Sequence, residues 1–318
     1  MRIIYNKRTN PYFNLACEEY LIDNAKDDIF MLWRNESAVI IGKNQNAYAE
    51  INEAFVKEHG IKVVRRLTGG GAVFHDLGNV NYTFIVGEER TSKLDFERFC
   101  KPIIIALNNL GLDASLSGRN DIIANGKKIS GTAQCVRNGK IMHHGCILYS
   151  ADLSGVAGAL NVNTDKMKSK GIKSVRSRVS NIADLLENPL PVESFIEYIM
   201  NTAAGERLDL SEQEEKEVSK LADGKYSTWE WNFGKSKKYE KTVSKRFDYG
   251  VITVNYTLDG GIVTDISFEG DYFGVRDTKE LSEKIIGKRF ERDIFNGIDV
   301  ENYIFGASNN DLLSLLIQ

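Results

Sequence analysis

Two Asn-Gly pairs constrain the fold of this chain more than any other local feature. Asn125-Gly126 and Asn138-Gly139 interrupt short strand-like segments between residues 121 and 150. Asn-Gly is a preferred pair for a two-residue hairpin turn, because both residues accept a positive φ. Such turns join antiparallel strands, whereas parallel strands need long crossovers. We therefore predict an α+β fold with mixed, largely antiparallel sheets flanked by helices.

The hydrophobic pattern predicts helices and strands on both sides of this region. Before it, we predict helices at Pro11 to Asn24, Asn52 to His59 and Leu94 to Leu110, and strands at Ile29 to Trp33, Ala38 to Ile41, Ile61 to Arg66 and Asn79 to Val86. After it, we predict mainly helices from Asp152 to Leu221, strands at Tyr249 to Tyr256 and Ile262 to Phe268, and helical segments at Lys279 to Lys288 and Val300 to Leu316. The basic segment Lys235 to Arg246 lacks a core pattern and is interpreted as a domain junction.

Charge and composition exclude several classes of protein. The 318 residues carry 41 basic and 44 acidic side chains, and this balance argues against broad binding to nucleic acid. No apolar run approaches the roughly 18 residues that a membrane span needs. The four cysteines form no C-x-x-C pair and no secretory signal is visible, so we expect a soluble, cytoplasmic protein with reduced thiols and, by default, a monomer. The four histidines lack metal-site spacing, and we predict no structural transition metal.

A run of three glycines follows two arginines in Arg65-Arg66-Leu67-Thr68-Gly69-Gly70-Gly71. Because glycines carry no Cβ, such a loop lets backbone N–H groups approach a phosphate. The spacing matches neither the P-loop nor the dinucleotide-binding motif. A flexible turn beside surface arginines is the alternative interpretation.

Two further groups of residues are candidates for chemistry. Strand alternation would place Lys128 and Ser130 on one face, near Asp121, where they could meet an anionic group, although a solvated face is the commoner outcome. The sequence His143-His144-Gly145-Cys146 is compatible with a metal site, a Cys-His nucleophile pair or a structural strand start. The aromatic segment Trp229 to Phe233 is interpreted as a buried anchor near the domain junction.

The motifs taken together resemble the bacterial lipoate–protein ligase family. R-R-L-T-G-G-G-A-V-F-H-D-L-G-N, G-R-N-D, K-K-I-S-G-T-A and H-H-G occur in the family's order, and further matches begin near Leu32, Ile41, Lys170 and Trp229. The resemblance implies a catalytic domain of the fold shared with biotin–protein ligases and octanoyltransferases, over residues 1–238. It also implies a small α+β accessory domain over residues 239–318.

The resemblance implies a reaction in two steps. Lipoate attacks the α-phosphate of MgATP to give lipoyl-adenylate and pyrophosphate, and a lysine of an apo lipoyl domain then attacks the mixed anhydride. The acceptors implied are the acyltransferase subunit of a 2-oxoacid dehydrogenase and the glycine cleavage H protein. No nucleic acid or membrane partner is implied.

The family's functional residues match positions in this chain. Lys128 is the expected catalytic residue, bridging the acyl carbonyl and the α-phosphate. The implied ATP-binding residues are Arg66, Gly71, Ala72, Val73, Phe74, Lys128 and Asp121, and Asp121 is expected to hold Mg²⁺ through phosphate. The implied lipoate-binding residues are Arg65, Thr68, Gly70, Lys128 and His144, with Leu67, Val73 and Ile129 as candidates for the acyl tunnel.

Two departures from the family pattern define the alternatives. Cys146 stands where the ligases commonly carry a small hydroxyl residue, and Thr68 stands where serine is common. Related octanoyltransferases use a cysteine thioester without ATP, so Cys146 makes an ATP-independent acyltransferase the main alternative. An anionic-polymer binding module that uses the glycine loop and the basic segment is a second alternative, which the net acidity disfavours.

Overall fold

The computed structural model describes residues 1–87, 94–160, 179–234 and 241–316. The motif that begins at Lys170 and residues 235–240 of the basic segment therefore lie outside the described residues. The strands are β1 (Arg2–Asn6), β2 (Ile29–Trp33), β3 (Ala38–Ile41), β4 (Lys62–Arg65), β5 (Val73–His75), β6 (Asn79–Gly87), β7 (Ala114–Ser117), β8 (Asp121–Ala124), β9 (Lys127–Arg137), β10 (Lys140–Leu148), β11 (Glu206–Arg207), β12 (Lys241–Phe247), β13 (Gly250–Asp259) and β14 (Ile262–Gly270).

The helices lie between and beside these strands. They are α1 (Pro11–Asn24), α2 (Ala47–Glu50), α3 (Glu53–Glu58), α4 (Phe96–Asn109), α5 (Leu153–Ala159), α6 (Val192–Asn201), α7 (Glu212–Leu221), α8 (Trp229–Asn232), α9 (Thr278–Ile285) and α10 (Asn309–Leu316), with a π-helical turn at Ala222–Tyr226 and a 3₁₀ turn at Val300–Asn302. Local signals set their ends: Asn10 caps α1 by accepting a hydrogen bond from the backbone N–H of Tyr12, and Pro11 occupies the first turn.

The strands form mixed, largely antiparallel sheets, as the sequence predicted. Among the described residues, the large sheet has the order β11-β1-β2-β6-β10-β9-β8-β7, and its β11-β1 and β1-β2 pairs are parallel. A second sheet, β4-β3-β5, has one parallel and one antiparallel pair. The third, β12-β13-β14, is antiparallel.

Both predicted hairpins are present. Asn125 and Gly126 adopt φ values of 50° and 75°, and Asn138 and Gly139 adopt 51° and 69°. Positive φ at both central residues is the signature of a type I′ turn, whose twist matches that of the flanking strands. These turns place β8, β9 and β10 side by side in the large sheet.

The hydrophobic residues form separate cores. One core packs α4 and α6 on one face of the large sheet, and another packs α1 on the other face. A third core contains only residues between 243 and 316 and is built from β12 to β14, α9 and α10. Burying apolar surface drives each of these associations. The C-terminal segment therefore has a core of its own.

The described part of the basic segment forms a strand, which the sequence analysis did not predict. Its described part, Lys241 to Arg246, lies in β12, at the edge of the C-terminal sheet, where every side chain except that of Val243 is exposed. Charged residues such as lysine are common on edge strands because they oppose pairing with another chain. The absence of a core pattern in this part thus reflects a solvent-facing edge strand, and the domain junction within the segment stays a prediction.

The described part of the chain contains no helix with both the length and the apolar character needed to cross a bilayer.

Candidate active site

A cavity of about 210 Å³ opens beside the glycine run and is lined by residues of the large sheet and of the β4-β3-β5 sheet. The residues that surround it come from α1, β2, β3, the glycine run, β5, β6, β9, β10 and the C-terminal segment. They are Leu15, Trp33, Ile40, Arg66, Gly70, Gly71, Ala72, Val73, His75, Asn81, Asn120, Lys128, Gly131, Thr132, Ala133, His144, Gly145, Cys146 and Phe273. Apolar walls with a few polar groups are typical of a small-molecule site.

The glycine run is held in place from within. The guanidinium of Arg66 donates to the carbonyls of Gly69 at 2.6 Å and Gly71 at 2.9 Å, and its Nε donates to Thr68 Oγ1 at 2.9 Å. Burial lowers the pKa of Arg66 to about 10, so it stays protonated at neutral pH and keeps a positive charge on the cavity wall. The loop is therefore organised around a buried cation, which disfavours the flexible-turn interpretation.

Lys128 lies on the cavity wall and pairs with Asp121, its Nζ 2.7 Å from Oδ1. Both side chains are about a third exposed, 38% and 36%. The cross-strand register shifts between Ile122 and Ile123, which pair with Ser130 and Lys128, so that β9 has one extra residue at this point. The bulge lets the ammonium group reach both the cavity and its carboxylate partner.

The bulge also corrects one prediction. Strict alternation placed Ser130 beside Lys128, but Ser130 is 1% exposed, does not line the cavity and has a hydroxyl without a partner among the described residues. An extra residue in a strand reverses the faces of the residues beyond it. Ile129 likewise lies in the main core, and Leu67 lies in the core around α1. Of the tunnel candidates, only Val73 lines the cavity.

His144 belongs to a buried polar network that the sequence did not predict. Its Nδ1 donates to Glu18 Oε1 at 2.8 Å, and its Nε2 lies 2.7 Å from the Thr68 hydroxyl. Glu18 also accepts from Thr83 Oγ1 at 2.6 Å, and Thr83 accepts from the indole N–H of Trp33 at 2.9 Å. The buried side chains of α1 also include Asn14 and Glu19, so no purely apolar face of this helix marked Glu18 as a buried carboxylate.

His143 and Cys146 have surroundings that disfavour nucleophilic catalysis. His143 is fully buried, stacks on Phe99 and contacts Gln134 at 2.8 Å, and burial holds its pKa well below the usual range. Burial raises the pKa of Cys146 to about 12, and Asn79 Nδ2 donates to its Sγ at 3.2 Å. A thiol with such a pKa is protonated at neutral pH, whereas the nucleophile in thioester chemistry is the thiolate.

Arg65 lies outside the cavity, although it was expected to bind lipoate. Its side chain is 1% exposed, and its guanidinium donates to carbonyls of two segments. The acceptors are the carbonyls of Gly42, Lys43, Gln45, Trp231 and Asn232. These contacts support a role in joining α8 to the loop after β3. Phe74, expected to bind ATP, also lies outside the cavity lining and packs in the core of the β4-β3-β5 sheet.

The aromatic segment of α8 is only partly an anchor. Asn232 is 2% exposed and accepts the backbone N–H of Arg65 at 2.8 Å, so it fixes α8 to β4. Trp229, in contrast, is 58% exposed. The prediction that this aromatic segment is buried as a whole was therefore wrong, because a four-residue helix buries one side and leaves the other in solvent.

The C-terminal segment completes the site. The backbone N–H of Gly70 donates to the carbonyl of Tyr272 at 3.2 Å, and a Cβ at Gly69 would lie 2.3 Å from that oxygen. Phe273 is 1% exposed, lines the cavity and lies under the guanidinium of Arg119, 4.3 Å from the ring centroid. The residue pair after β14 thus forms one wall of the site.

Comparison with known proteins places this fold and cavity in a class of enzymes. The model of the lipoyl protein ligase A/B catalytic domain matches residues 10–204, and that of the bacterial lipoate protein ligase C-terminus matches residues 236–316. A Bacillus subtilis protein named lipoate-protein ligase LplJ is 39% identical over 99% of this chain and 100% of its own length. Lipoate–protein ligase 1 of Staphylococcus aureus is 38% identical over the same shares. The chain is thus a ligase, an enzyme that joins two molecules.

Solved structures agree with this assignment. The chain resembles a lipoate-protein ligase A bound with ATP at a TM-score of 0.63 and 28% identity, over 73% of this chain and 98% of the other. Its fold also matches that of P. falciparum LipL1 at a TM-score of 0.81, with 24% identity, over 99% of this chain and 97% of the other. The chain belongs to the lipoate–protein ligase family.

Proposed function

We propose that this enzyme activates lipoate with MgATP to lipoyl-AMP and pyrophosphate, and then transfers the lipoyl group to a lysine of an apo lipoyl domain. In the first step a lipoate oxygen attacks the α-phosphorus, and the bond to the pyrophosphate oxygen breaks. In the second step the lysine amine attacks the acyl carbon, AMP leaves, and the amine loses a proton. The single observation that carries this proposal is Lys128 at the wall of an apolar cavity beside the cation-supported glycine run.

The position of Lys128 fits the catalytic role. Charge develops on the α-phosphate in the first step and on the acyl oxygen in the second, and a fixed cation lowers the energy of both transition states. The ion pair with Asp121 holds the ammonium group in place at the cavity wall. A substrate that carries negative charge would compete with Asp121 for this cation.

The lipoate chain fits the apolar part of the same cavity. Leu15, Trp33 and Ile40 supply apolar walls, on α1, β2 and β3. His144 lines the cavity, and Thr68 lies behind it and holds its ring in place through their hydrogen bond. ATP would lie on the side of Gly70, Gly71, Ala72 and Val73, which line the cavity with little or no side chain apart from Val73.

The residues present fit a Mg²⁺ ion that arrives with ATP. Asp121 offers one carboxylate, 2.7 Å from Lys128 Nζ, and a single carboxylate suits an ion that keeps most of its ligands from phosphate and water. The ion would neutralise part of the triphosphate charge. This chain would contribute Asp121 to hold it and Lys128 to orient the α-phosphate.

We propose apo lipoyl domains as the acceptors, on the acyltransferase subunit of 2-oxoacid dehydrogenases and on the glycine cleavage H protein. One structural relative is described as an archaeal bipartite lipoate protein ligase and its E2 lipoyl domain, and it is 30% identical at a TM-score of 0.66 over 76% of this chain. We also propose residues 1–238 as the catalytic domain and 239–318 as the accessory domain. The separate core of residues 243 to 316 supports this division.

The experiment is mass spectrometry of an apo lipoyl domain after incubation with enzyme, lipoate and MgATP. A parallel reaction contains octanoyl-acyl carrier protein and no ATP. We expect ATP-dependent lipoylation that falls by about 10²–10³ in Lys128→Ala, the typical loss when a preorganised donor is removed. Lys127→Ala is the matched control, because Lys127 is the exposed neighbour on the same strand.

The same experiment separates the alternative. A Cys146→Ser variant should keep the ligase activity, since a protonated thiol has no part in the proposed steps. ATP-independent octanoylation that disappears in Cys146→Ser would show a cysteine acyltransferase instead. Unchanged lipoylation in Lys128→Ala would remove the catalytic role of that lysine.

A further inference from the structure

The apolar part of the cavity contains a buried hydrogen-bonding atom without a partner. His75 lines the cavity, is 4% exposed and packs edge to face against Trp33, with ring centroids 6.2 Å apart. Its Nε2 is buried and has no hydrogen-bond partner among the described residues. A buried polar atom that lacks a partner is destabilising, so its presence beside a ligand cavity calls for a functional explanation.

A chain of buried amides determines which nitrogen of His75 carries the proton. Asn14 Nδ2 donates to the carbonyls of Arg8 and Arg34, both at 2.9 Å, and carbonyls accept but never donate. The Asn14 nitrogen is thereby identified, and the atom of Asn35 that it also contacts, at 2.8 Å, must be the oxygen. The nitrogen of Asn35 then faces His75 Nδ1 at 3.1 Å. His75 Nδ1 must accept this bond, and the proton of the neutral ring is on Nε2.

The charge state of His75 agrees with this assignment. Burial, with the nearby positive charge of Arg66 as a second cause, lowers the pKa of His75 to about 3. The ring is therefore neutral at any pH at which the enzyme would work, and it presents one N–H donor.

We propose that the Nε2–H group of His75 is a specificity-determining donor that favours an acyl tail with a sulfur acceptor over a plain hydrocarbon tail. This inference rests on the proposed function and deepens it. Lipoate ends in a dithiolane ring, whose sulfur atoms are weak hydrogen-bond acceptors, whereas octanoate ends in a methyl group. A site with a buried donor discriminates against a ligand that leaves the donor unpaired. Asn81 supports the assignment, because its Nδ2 is also buried without a described partner on the cavity wall.

The experiment compares lipoate and octanoate as substrates in the ATP-dependent reaction. In His75→Phe, which keeps a flat ring and removes the donor, the ratio of kcat/KM for lipoate to that for octanoate should fall roughly 10-fold. The fall should come from lipoate, while octanoate is used as well as before or better. The matched control is His59→Phe, because His59 is exposed at the end of α3 and should leave the ratio unchanged.

A second measurement needs no variant protein. Long-range ¹H–¹⁵N spectra of histidine-labelled wild-type enzyme should show His75 neutral, protonated on Nε2 and unchanged between pH 8 and pH 5. Addition of lipoate should shift the Nε2 signal more than addition of octanoate. A His75 ring protonated on Nδ1, or a ratio of kcat/KM for lipoate to that for octanoate that stays constant in His75→Phe, would overturn the inference. If the wild type still lipoylates in either case, the proposed function remains intact. A wild type without ATP-dependent lipoylation would refute both.

Discussion

Thr83 is the residue at which the buried polar network can be broken with the smallest change in shape. Its hydroxyl accepts the indole N–H of Trp33 at 2.9 Å and donates to Glu18 Oε1 at 2.6 Å. All three side chains are at most 2% exposed. Thr83→Val replaces this hydroxyl with a methyl group of similar size, so it removes two hydrogen bonds without leaving a cavity.

The expected loss of stability follows from the groups left without partners. The buried Trp33 N–H would have no acceptor, at a cost of about 1–3 kcal/mol. The Glu18 carboxylate would lose the hydrogen bond that it accepts from Thr83, and hydrogen bonds of this kind are worth roughly 1.5–3 kcal/mol. The added methyl returns about 1 kcal/mol of apolar burial. Because neighbouring effects are not additive, we expect a net loss of about 2–4 kcal/mol. Thr83→Ser keeps the hydroxyl, loses one methyl and should cost about 1 kcal/mol.

The assay is equilibrium urea unfolding followed by tryptophan fluorescence, with the midpoint compared at an unchanged slope. Thr264→Val is the control, since Thr264 is an exposed threonine on β14 and its substitution should have little effect. A Thr83→Val protein as stable as Thr83→Ser would refute the reasoning, because it would show that the hydroxyl contributes no more than a methyl group at this position.

Three further predictions test the site and the charge network. Gly69→Ala should destabilise the protein by roughly 1–3 kcal/mol in urea unfolding, because the new Cβ would lie 2.3 Å from a backbone oxygen. In Gly71→Ala the new Cβ has no neighbour within 4 Å, so this variant should keep the stability of the wild type but have a higher KM for ATP. Cys146, with its pKa raised to about 12, should react slowly with iodoacetamide in the folded protein at pH 7.5, and rapid alkylation seen by mass spectrometry would contradict the raised pKa. The hydrogen bond from Arg2 lowers the pKa of Glu214 to about 2. The difference in unfolding free energy between the wild type and Glu214→Gln should therefore be largest above about pH 4.5 and should vanish as the pH falls toward 2. A difference that is constant over this range would argue against the shift.

The fold was predictable where local chemistry determines the backbone. Asn125-Gly126 and Asn138-Gly139 adopt positive φ in the predicted hairpin turns. Helix α1 and strand β2 begin and end at the predicted residues. The order of strands in the large sheet was not predictable, because parallel pairing of β1 with β2 and β11 depends on contacts between residues far apart in sequence. The basic strand β12 was missed for a related reason, since a strand at a sheet edge lacks the alternating apolar signal.

The site was predictable as a set of segments and less so as individual side chains. Lys128, Arg66 and His144 all line one cavity, as their motifs suggested. Ser130 was misplaced because a single extra residue in β9 reverses the alternation on which its prediction relied. Glu18 was missed because a buried carboxylate needs partners from other elements, and those partners become visible only when α1 and β10 are packed together.

The three glycines of the glycine run differ in what surrounds their Cα atoms. A Cβ at Gly69 would collide with the Tyr272 carbonyl, and Gly70 has a φ of 90°, a conformation that favours glycine, beside the ring of Phe273. Packing against the C-terminal segment therefore explains two of the three glycines. Gly71 has open space around its Cα and lines the cavity, so packing within the described protein gives no reason for glycine there. The proposed approach of a phosphate to the backbone would supply that reason, and this is the use of a glycine loop that the phosphate-binding interpretation requires.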